Sequence, residues 1–310
     1  MLHFLTMADN AGPLRRYLRW WGGALRGRVR LLTYERLGDP ARLADGAYVF
    51  ADLERLPQPA EAAAVHAYER LQRRGERVRL INRPGAALRR RQLLRTLHER
   101  GLNPFNVYRL DENLARIRYP VFLRNSTEHT GPLSPLLGNA AALKAAVPAA
   151  VAAGTAEGDL LVVEFFDTSE GGEYRKYAVM KVGPQLIAQH LFFDSQWSVK
   201  ATTIWPPERV ALDNAFMAEN PHADAVAEIF AIAGIEFGRI DYAVREGRIV
   251  TFEINTVPTI LLKRSWYGAD RLPGKLAFAG RLNAALAALD PASPPPSLGE
   301  RLASYRDLYF

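Results

Sequence analysis

Short apolar runs alternate with amphipathic stretches in the first third of the chain. The apolar runs at 47–51 and 78–81 predict two buried strands. Apolar residues at helical spacing follow each run, at 61–74 and 89–100, and a glycine ends each predicted helix. Strand, helix, strand and helix in this order predict a small parallel α/β domain, which we place at residues 1–110.

The pattern changes near residue 119. Apolar runs at 120–124 and 160–166 predict strands, with a polar loop at 125–132 and an alanine-rich helix between them. Two strand pairs follow, each around a glycine-containing turn: 177–182 with 186–193, and 240–244 with 248–254. A helical stretch that is broken near Pro221 lies between the two pairs. We therefore expect further α/β (α+β) structure after the first domain, ending in a loop-like tail with a short helix at 291–310.

The last strand pair carries a group of polar side chains. Glu253 and Asn255 are two residues apart on one strand and share a face. Asp241 lies on the preceding strand, and the turn decides whether it joins them. A two-residue turn at 246–247 would pair Asp241 with Phe252 on the wrong face. A three-residue connection with a left-handed glycine would pair it with Thr251 on the correct face.

Two carboxylates and one amide are hard oxygen ligands that suit magnesium shared with phosphate oxygens. These three residues are equally consistent with the polar outer face of a hairpin. The sequences FGRID at 237–241 and EINTVP at 253–258, however, resemble the closing motif of ATP-grasp ligases. The resemblance implies that Asp241, Glu253 and Asn255 hold Mg²⁺, or Mn²⁺ in its place. It also implies that Arg239 contacts the transferred phosphate.

Other parts of the chain resemble the same family in the same order. The resemblance implies a two-lobed domain, with the first lobe and its phosphate lid at 111–164 and the second lobe with the metal site at 165–290. The first hundred residues resemble the small α/β domain that precedes these lobes in the family, where the loop at 82–84 would supply part of a substrate pocket.

Residues 161–167 resemble the hinge that binds adenine, which makes Phe165 and Phe166 the expected backbone contacts. Glu164 and Asp167 become candidates for the adenine amino group and the ribose hydroxyls. A buried strand with a polar end would show the same apolar run.

The predicted strand after the hinge contains Arg175 and Lys176, which resemble the family's substrate- and phosphate-binding stretch. Neighbouring residues on a strand face opposite ways, so we expect one of the two to line the site and favour Arg175. An exposed ion pair is an equal alternative for Lys176. Arg124 stands where the family's phosphate lid has a lysine, and the lid at 125–132 has Gly131 as its one glycine. His129 in this loop could donate to phosphate or act as a base.

Composition adds few constraints. The chain of 310 residues has a net charge of +7 and no cysteine, so disulfides and thiolate metal sites are excluded. Residues 14–31 predict a basic helix or turn, with a break at Gly22 and Gly23. Arginines crowd residues 15–30 and 89–91, which could indicate an anionic partner or solvated helix faces. The 33 acidic residues argue against a dedicated nucleic-acid binder. We expect a cytoplasmic protein without a membrane span or leader, and leave a homo-oligomer open.

The family resemblance implies an ATP-dependent ligase that forms a carbon–nitrogen bond. It would activate a small-molecule or peptide carboxylate as an acyl phosphate, which an amine or similar nucleophile then attacks, giving ADP and phosphate. A kinase of the same fold and a nucleotide-binding sensor without turnover remain alternatives. The lid departs from the family pattern, so the sequence predicts ATP binding more strongly than the reaction in which ATP is used.

Overall fold

A computed structural model describes residues 1–290 of the chain. The first part of it is a parallel sheet in the order β2-β1-β3-β4. Its strands are β1 (Leu2–Thr6), β2 (Val29–Thr33), β3 (Gly46–Phe50) and β4 (Val78–Ile81). The helices of this part are α1 (Gly12–Trp20), α2 (Gln58–Gln72) and α3 (Arg90–Glu99). This arrangement confirms the predicted parallel α/β unit.

The N-terminal segment differs from the prediction of a basic helix or turn at 14–31. Helix α1 ends at Trp20, and β1 and β2 were not predicted. Strand β2 (VRLLT) follows directly on an arginine-rich run, and its second residue, Arg30, is exposed, so its apolar signal is weak. Helix α1 buries Leu14, Tyr17 and Leu18, while Arg15, Arg16 and Arg19 face outward.

The first lobe contains an antiparallel sheet in the order β5-β7-β6, with one helix against it. Its elements are β5 (Val107–Arg109), β6 (Val121–Asn125), α4 (Ala140–Ala152) and β7 (Leu160–Glu164). Because β5 pairs with β7, it belongs to this sheet, although the predicted boundary at 110 assigns it to the N-terminal domain. The other boundaries stay predictions, and the predicted tail at 291–310 lies outside the described residues.

The second lobe contains an antiparallel sheet in the order β11-β10-β8-β9. Its strands are β8 (Tyr174–Val182), β9 (Gln185–Asp194), β10 (Phe237–Arg245) and β11 (Arg248–Asn255). Its helices are α5 (Pro207–Glu219), α6 (Ala223–Ala233) and α7 (Leu272–Ala288). Both strand pairs and the break before α6 confirm the prediction.

The turn between β10 and β11 corrects both registers considered from the sequence. It is a two-residue turn, since Arg245 pairs with Arg248, and Glu246 and Gly247 both have positive φ angles of 52° and 72°. The register shifts farther along, so that Tyr242 pairs with Thr251 and Asp241 pairs with Glu253. The shift leaves Phe252 as an extra residue, that is, a β-bulge, which brings Asp241 to the face of Glu253.

The N-terminal sheet and the second-lobe sheet share one hydrophobic core. Leu2 and Phe4 of β1 pack in the same cluster as Met180 of β8 and Phe237 of β10. The buried Asn82, which follows β4 with φ 62°, strengthens this connection. Its amide nitrogen donates to the carbonyls of Phe50 (3.0 Å) and Phe237 (2.8 Å). Its oxygen accepts from the backbone N–H groups of Phe237 and of Glu236, the residue before β10.

The predicted role of the loop at 82–84 in a substrate pocket conflicts with these bonds, because the Asn82 side chain is fully engaged between two sheets. The Arg83 guanidinium lies over the Tyr68 ring at 6.0 Å. Among residues 1–290, no helix is long and apolar enough to cross a membrane.

Candidate functional site

A cavity of about 320 Å³ lies between the first-lobe and second-lobe sheets. One end is aromatic and the other is rich in charged groups. The aromatic lining comprises Phe105, Phe122, Phe165, Phe166, Trp197 and Phe252, and the charged lining includes Arg124, His129, Arg175, Lys176, Lys200, Arg239, Asp241 and Glu253. The cavity therefore combines a surface for a flat ring with a surface for an anion.

Asp241 and Glu253 form the acidic part of this lining. They lie opposite each other on β10 and β11 and are 3% and 9% exposed. Both oxygens of Asp241 accept from the guanidinium of Arg239, two residues earlier on the same strand, at 2.6 and 3.0 Å. A third nitrogen of Arg239 donates to the carbonyl of Thr259 at 2.8 Å, which holds the guanidinium in place.

Three cationic groups surround one oxygen of Glu253. Its Oε2 accepts from Arg124 at 2.7 Å and from Arg90, and lies 2.8 Å from Nδ1 of His129. Burial alone would raise the pKa of this carboxyl, but Arg124, Arg90 and His129 hold it well below its usual value. No donor from residues 1–290 reaches the other oxygen, Oε1, so Glu253 keeps one oxygen for a ligand.

His129 is held between two carboxylates. Its Nε2 lies 3.1 Å from Glu54 and its Nδ1 contacts Glu253. Burial opposes the charged ring, but the two carboxylates raise the pKa of His129 above its ordinary value. With both nitrogens used in this way, the predicted roles of His129 as a phosphate donor or a base are not supported.

The predicted magnesium ligands already make hydrogen bonds within the chain. Asn255 is buried, and its Oδ1 accepts from the N–H of Val257 at 2.7 Å. Within the described chain, no group of three or more His, Asp or Glu side chains is arranged to hold a metal ion. The hard oxygens of Asp241 and Glu253 fit magnesium chemically. Binding through Asp241 requires it to exchange the Arg239 guanidinium for the metal.

The predicted hinge lines the aromatic end of the cavity. Phe165 and Phe166 both face it, and the N–H of Phe165 donates to Pro120 at 2.9 Å. Glu164 lines the cavity too, but its carboxylate accepts from Arg118 at 2.6 Å and from Tyr108 at 3.1 Å. This side chain therefore holds the first-lobe sheet together, which argues against its predicted contact with adenine. Asp167 is exposed and accepts from the N–H of Ser169.

The expectation that only one of Arg175 and Lys176 lines the site is corrected, because both do. The ammonium of Lys176 is the one beside the acidic pair, 3.9 Å from Asp241. Burial lowers the pKa of Lys176, while Asp241 acts in the opposite direction. The guanidinium of Arg175 pairs instead with Glu173 at 3.3 Å. Arg175 thus lines the cavity as predicted, and Lys176 lines it as well, closer to the acidic pair.

Arg124 lies at the predicted position on β6, where it lines the cavity and is buried. Burial lowers its pKa to about 10, so the guanidinium is charged at neutral pH. Arg124 contacts Glu253 directly, and its Nε has no partner among the described residues.

Sequence reasoning assigned no role at the cavity to Arg90, Glu54 or Lys200, and placed Trp197 near a substrate pocket but favoured a core role for it. Arg90 was interpreted as part of a solvated arginine face, but its side chain is 2% exposed and contacts Glu253. Glu54 carried no sequence signal. Trp197 packs on Phe122 with ring centroids 4.8 Å apart. Lys200 passes over Gly131, whose φ of 101° and missing side chain leave room for it. No sequence motif marked any of these contacts, since each joins separate elements.

No protein-family model matches the chain, and no curated protein matches it. Solved structures of D-alanine–D-alanine ligases do. The enzyme from Bacillus anthracis complexed with ATP is 11% identical with a TM-score of 0.50, covering 92% of this chain and 99% of that one. The Coxiella burnetii enzyme is 11% identical (TM-score 0.50; 93% and 96% covered), and the Helicobacter pylori enzyme is 12% identical (TM-score 0.51; 93% and 98% covered). This likeness shows the fold and confirms the predicted ATP-grasp architecture.

Proposed function

We propose that this ATP-grasp chain is an ATP- and magnesium-dependent ligase. The observation that carries the proposal is the convergence of Arg124, Arg239, Asp241 and Glu253 in one cavity whose other end is aromatic. The ATP complex of the structurally similar Bacillus anthracis ligase supports ATP as the nucleotide. The roles below follow from the chemistry of each part of the cavity.

The aromatic end suits the base of the nucleotide. Phe165 and Phe166 of the hinge lie on one side, and Trp197 approaches from the loop after β9, with its ring 5.7 Å from that of Phe165. Aromatic side chains bind purines through stacking and through exclusion of water. The base would thus lie between the two lobes, with its sugar near Thr168 and Asp167.

The charged end suits the triphosphate. Arg124, Lys176, Lys200 and Arg239 line it, and cations placed before reaction stabilise charge that develops on phosphate oxygens. Magnesium bound by Asp241 and Glu253, with Asn255 beside them, would neutralise phosphate charge. If Asp241 held the metal, Arg239 on the same strand would be placed to contact the transferred phosphate.

The reaction proposed is activation of a carboxylate. A carboxylate oxygen attacks the γ-phosphorus, the bond from that phosphorus to the bridging oxygen breaks, and ADP leaves. An amine then attacks the acyl carbon, and phosphate leaves with the electrons of the broken bond. Positioning and electrostatics supply most of the catalysis of phosphoryl transfer, so no nucleophilic side chain is required. The substrates proposed are small-molecule or peptide carboxylates and amines, which fits the likeness to D-alanine–D-alanine ligases.

A second function is favoured by one observation. Both oxygens of Asp241 and one oxygen of Glu253 are bound by guanidinium groups of the chain itself. A protein that binds nucleotide without turnover could keep these ion pairs permanently. Such a protein would bind ATP as a sensor or partner subunit and release no ADP.

A substrate screen separates these functions. Purified protein is incubated with ATP, magnesium and pools of carboxylates, amines and peptides, and ADP, phosphate and conjugates are measured by mass spectrometry. Ligation gives one ADP, one phosphate and one conjugate per turnover. A phosphorylated product without free phosphate would identify a kinase, and tight ATP binding with no ADP from any pool would favour the sensor.

A further inference from the structure

One side chain of the N-terminal domain contacts two residues that line the cavity, His129 and Glu253. Arg90 is the first residue of α3, and its guanidinium is almost completely buried. One terminal nitrogen donates to the carbonyls of Asn125 (2.7 Å) and Glu128 (2.8 Å). The other donates to Glu253 and lies 2.9 Å from Nδ1 of His129. A single planar group therefore connects three segments that are far apart in the sequence.

The helix that carries Arg90 is held firmly in place. Leu93, Leu94 and Leu97 of α3 are 0–1% exposed and pack into two hydrophobic clusters. The N–H of Arg89 donates to the side chain of Gln92 at 3.1 Å, which caps the first turn. These clusters are formed with first-lobe and second-lobe residues, so the packing of α3 against both lobes fixes the start of the Arg90 side chain independently of the loop it binds.

The loop is shaped to accept it. The Asn125 side-chain oxygen accepts from the N–H groups of Thr127 (2.9 Å) and Glu128 (3.0 Å), which closes a tight turn. The carbonyls of Asn125 and Glu128 then converge on one nitrogen of Arg90. Glu54, also from the N-terminal domain, holds His129 at the far side of the turn. The loop is held by directed bonds at both ends.

We propose that Arg90 is a positioning residue that fixes the loop at 125–132 against Glu253, and so sets the phosphate-binding wall of the cavity. The inference rests on the proposed function in that this wall is taken to face a triphosphate. Lysine at position 90 would keep the charge but lacks the planar fork that reaches two carbonyls and a carboxylate together. Arg90→Lys therefore separates position from charge.

Hydrogen exchange of the protein without nucleotide tests the contact itself. Arg90→Lys should raise amide exchange in peptides covering 121–133 by about tenfold, because the loop loses bonds to a charged group. Peptides from β8 should exchange as in the wild type. Arg91→Lys is the matched control, since Arg91 is the next residue on the same helix and pairs with Glu112 at 2.5 Å. Unchanged exchange in the loop, or equally faster exchange throughout the protein, would overturn the proposal.

Nucleotide binding tests the consequence. With magnesium and a non-hydrolysable ATP analogue, calorimetry should show a dissociation constant about tenfold higher for Arg90→Lys, and within about twofold of the wild type for Arg91→Lys. An unchanged dissociation constant in Arg90→Lys would overturn the role at the phosphate wall. If the wild type binds no nucleotide, the proposed function fails, and the exchange result alone decides whether Arg90 positions the loop.

Discussion

Asp241 lies directly opposite Glu253 on the neighbouring strand because the extra residue Phe252 bulges out of β11. Without this bulge the two-residue turn would place the carboxylates on opposite faces of the sheet. The acidic pair thus depends on a local irregularity of the hairpin. It also depends on the guanidiniums that hold the pair, since two buried carboxylates side by side repel each other unless cations neutralise them.

Replacement of either carboxylate should stop the reaction. Asp241→Asn and Glu253→Gln keep the shape of the side chain but remove the charge proposed to bind magnesium, so ADP formation should fall to the limit of detection. ADP release, measured with the substrates found by screening, checks this outcome, and circular dichroism checks folding. Glu246→Gln in the exposed turn of the same hairpin is the control. Full ADP release by both site variants would exclude these residues as metal ligands.

Trp197 should contribute to nucleotide affinity. Its loss removes one wall of the aromatic end, and base–aromatic stacking of about 1–3 kcal/mol predicts a dissociation constant about 5- to 150-fold higher for Trp197→Ala. Calorimetry with a non-hydrolysable ATP analogue measures the change. Trp266→Ala provides the comparison, because Trp266 is 67% exposed and does not line the cavity. Equal affinities for both variants would place the base elsewhere.

The turn between β10 and β11 should be sensitive to a methyl group at Gly247. Its φ is 72° and a Cβ would meet no atom within 4 Å, so the effect of Gly247→Ala is conformational. We expect a loss of about 1 kcal/mol in the free energy of unfolding, measured by urea denaturation. Gly280→Ala makes the same change in open space within α7, where alanine should stabilise by about 0.5–1 kcal/mol. The same sign for both variants would contradict this explanation.

Stability should fall in acid partly through His3, which stacks on Tyr48 in the N-terminal sheet. Burial and the nearby N-terminal ammonium lower the pKa of His3 to about 4. Because the folded pKa lies below the unfolded value near 6.5, the contribution is complete above pH 6.5 and is lost as the pH falls toward 4. The loss by pH 4 should be about 3 kcal/mol.

The pH series compares urea unfolding of the wild type with that of His3→Phe, which retains a ring on Tyr48. The difference in unfolding free energy between pH 7 and pH 4.5 should be smaller in the variant. His66→Gln removes an exposed histidine from α2 and should follow the wild type. Parallel pH profiles for wild type and His3→Phe would show that His3 does not carry this part of the acid sensitivity.

The sequence predicted elements whose pattern is local. The buried run of β7, the glycine turn between β8 and β9, and the break before α6 each depend on neighbouring residues. The bulge at Phe252 could not be predicted in this way, because packing across the sheet decides which residue is left unpaired. A single extra residue changes the face of every side chain beyond it.

The cavity was predictable only in part for the same reason. Asp241, Glu253 and the hinge stood out through spacing and motif, whereas the bond from Arg90 to Glu253 spans 163 positions and that from Glu54 to Thr256 spans 202. No local pattern specifies such a bond. The sequence does not distinguish the side chains of three consecutive arginines. Tertiary packing shows that Arg90 points inward, whereas Arg91 pairs with Glu112.

The four hydrogen bonds of Asn82 have a consequence for motion. Three of them join the N-terminal sheet to β10 and the residue before it, where both sheets already share a core, so we expect these two parts to move as one body. The first-lobe sheet has a core cluster around Val121 and Leu160 on one face, and its other face meets Ala243 and Val250 of the second lobe in a smaller cluster. We therefore expect the molecule to open by movement of the first lobe relative to the other two parts. Paired spin labels on β4 and α6 should keep their separation when nucleotide binds, while a label on α4 moves relative to both.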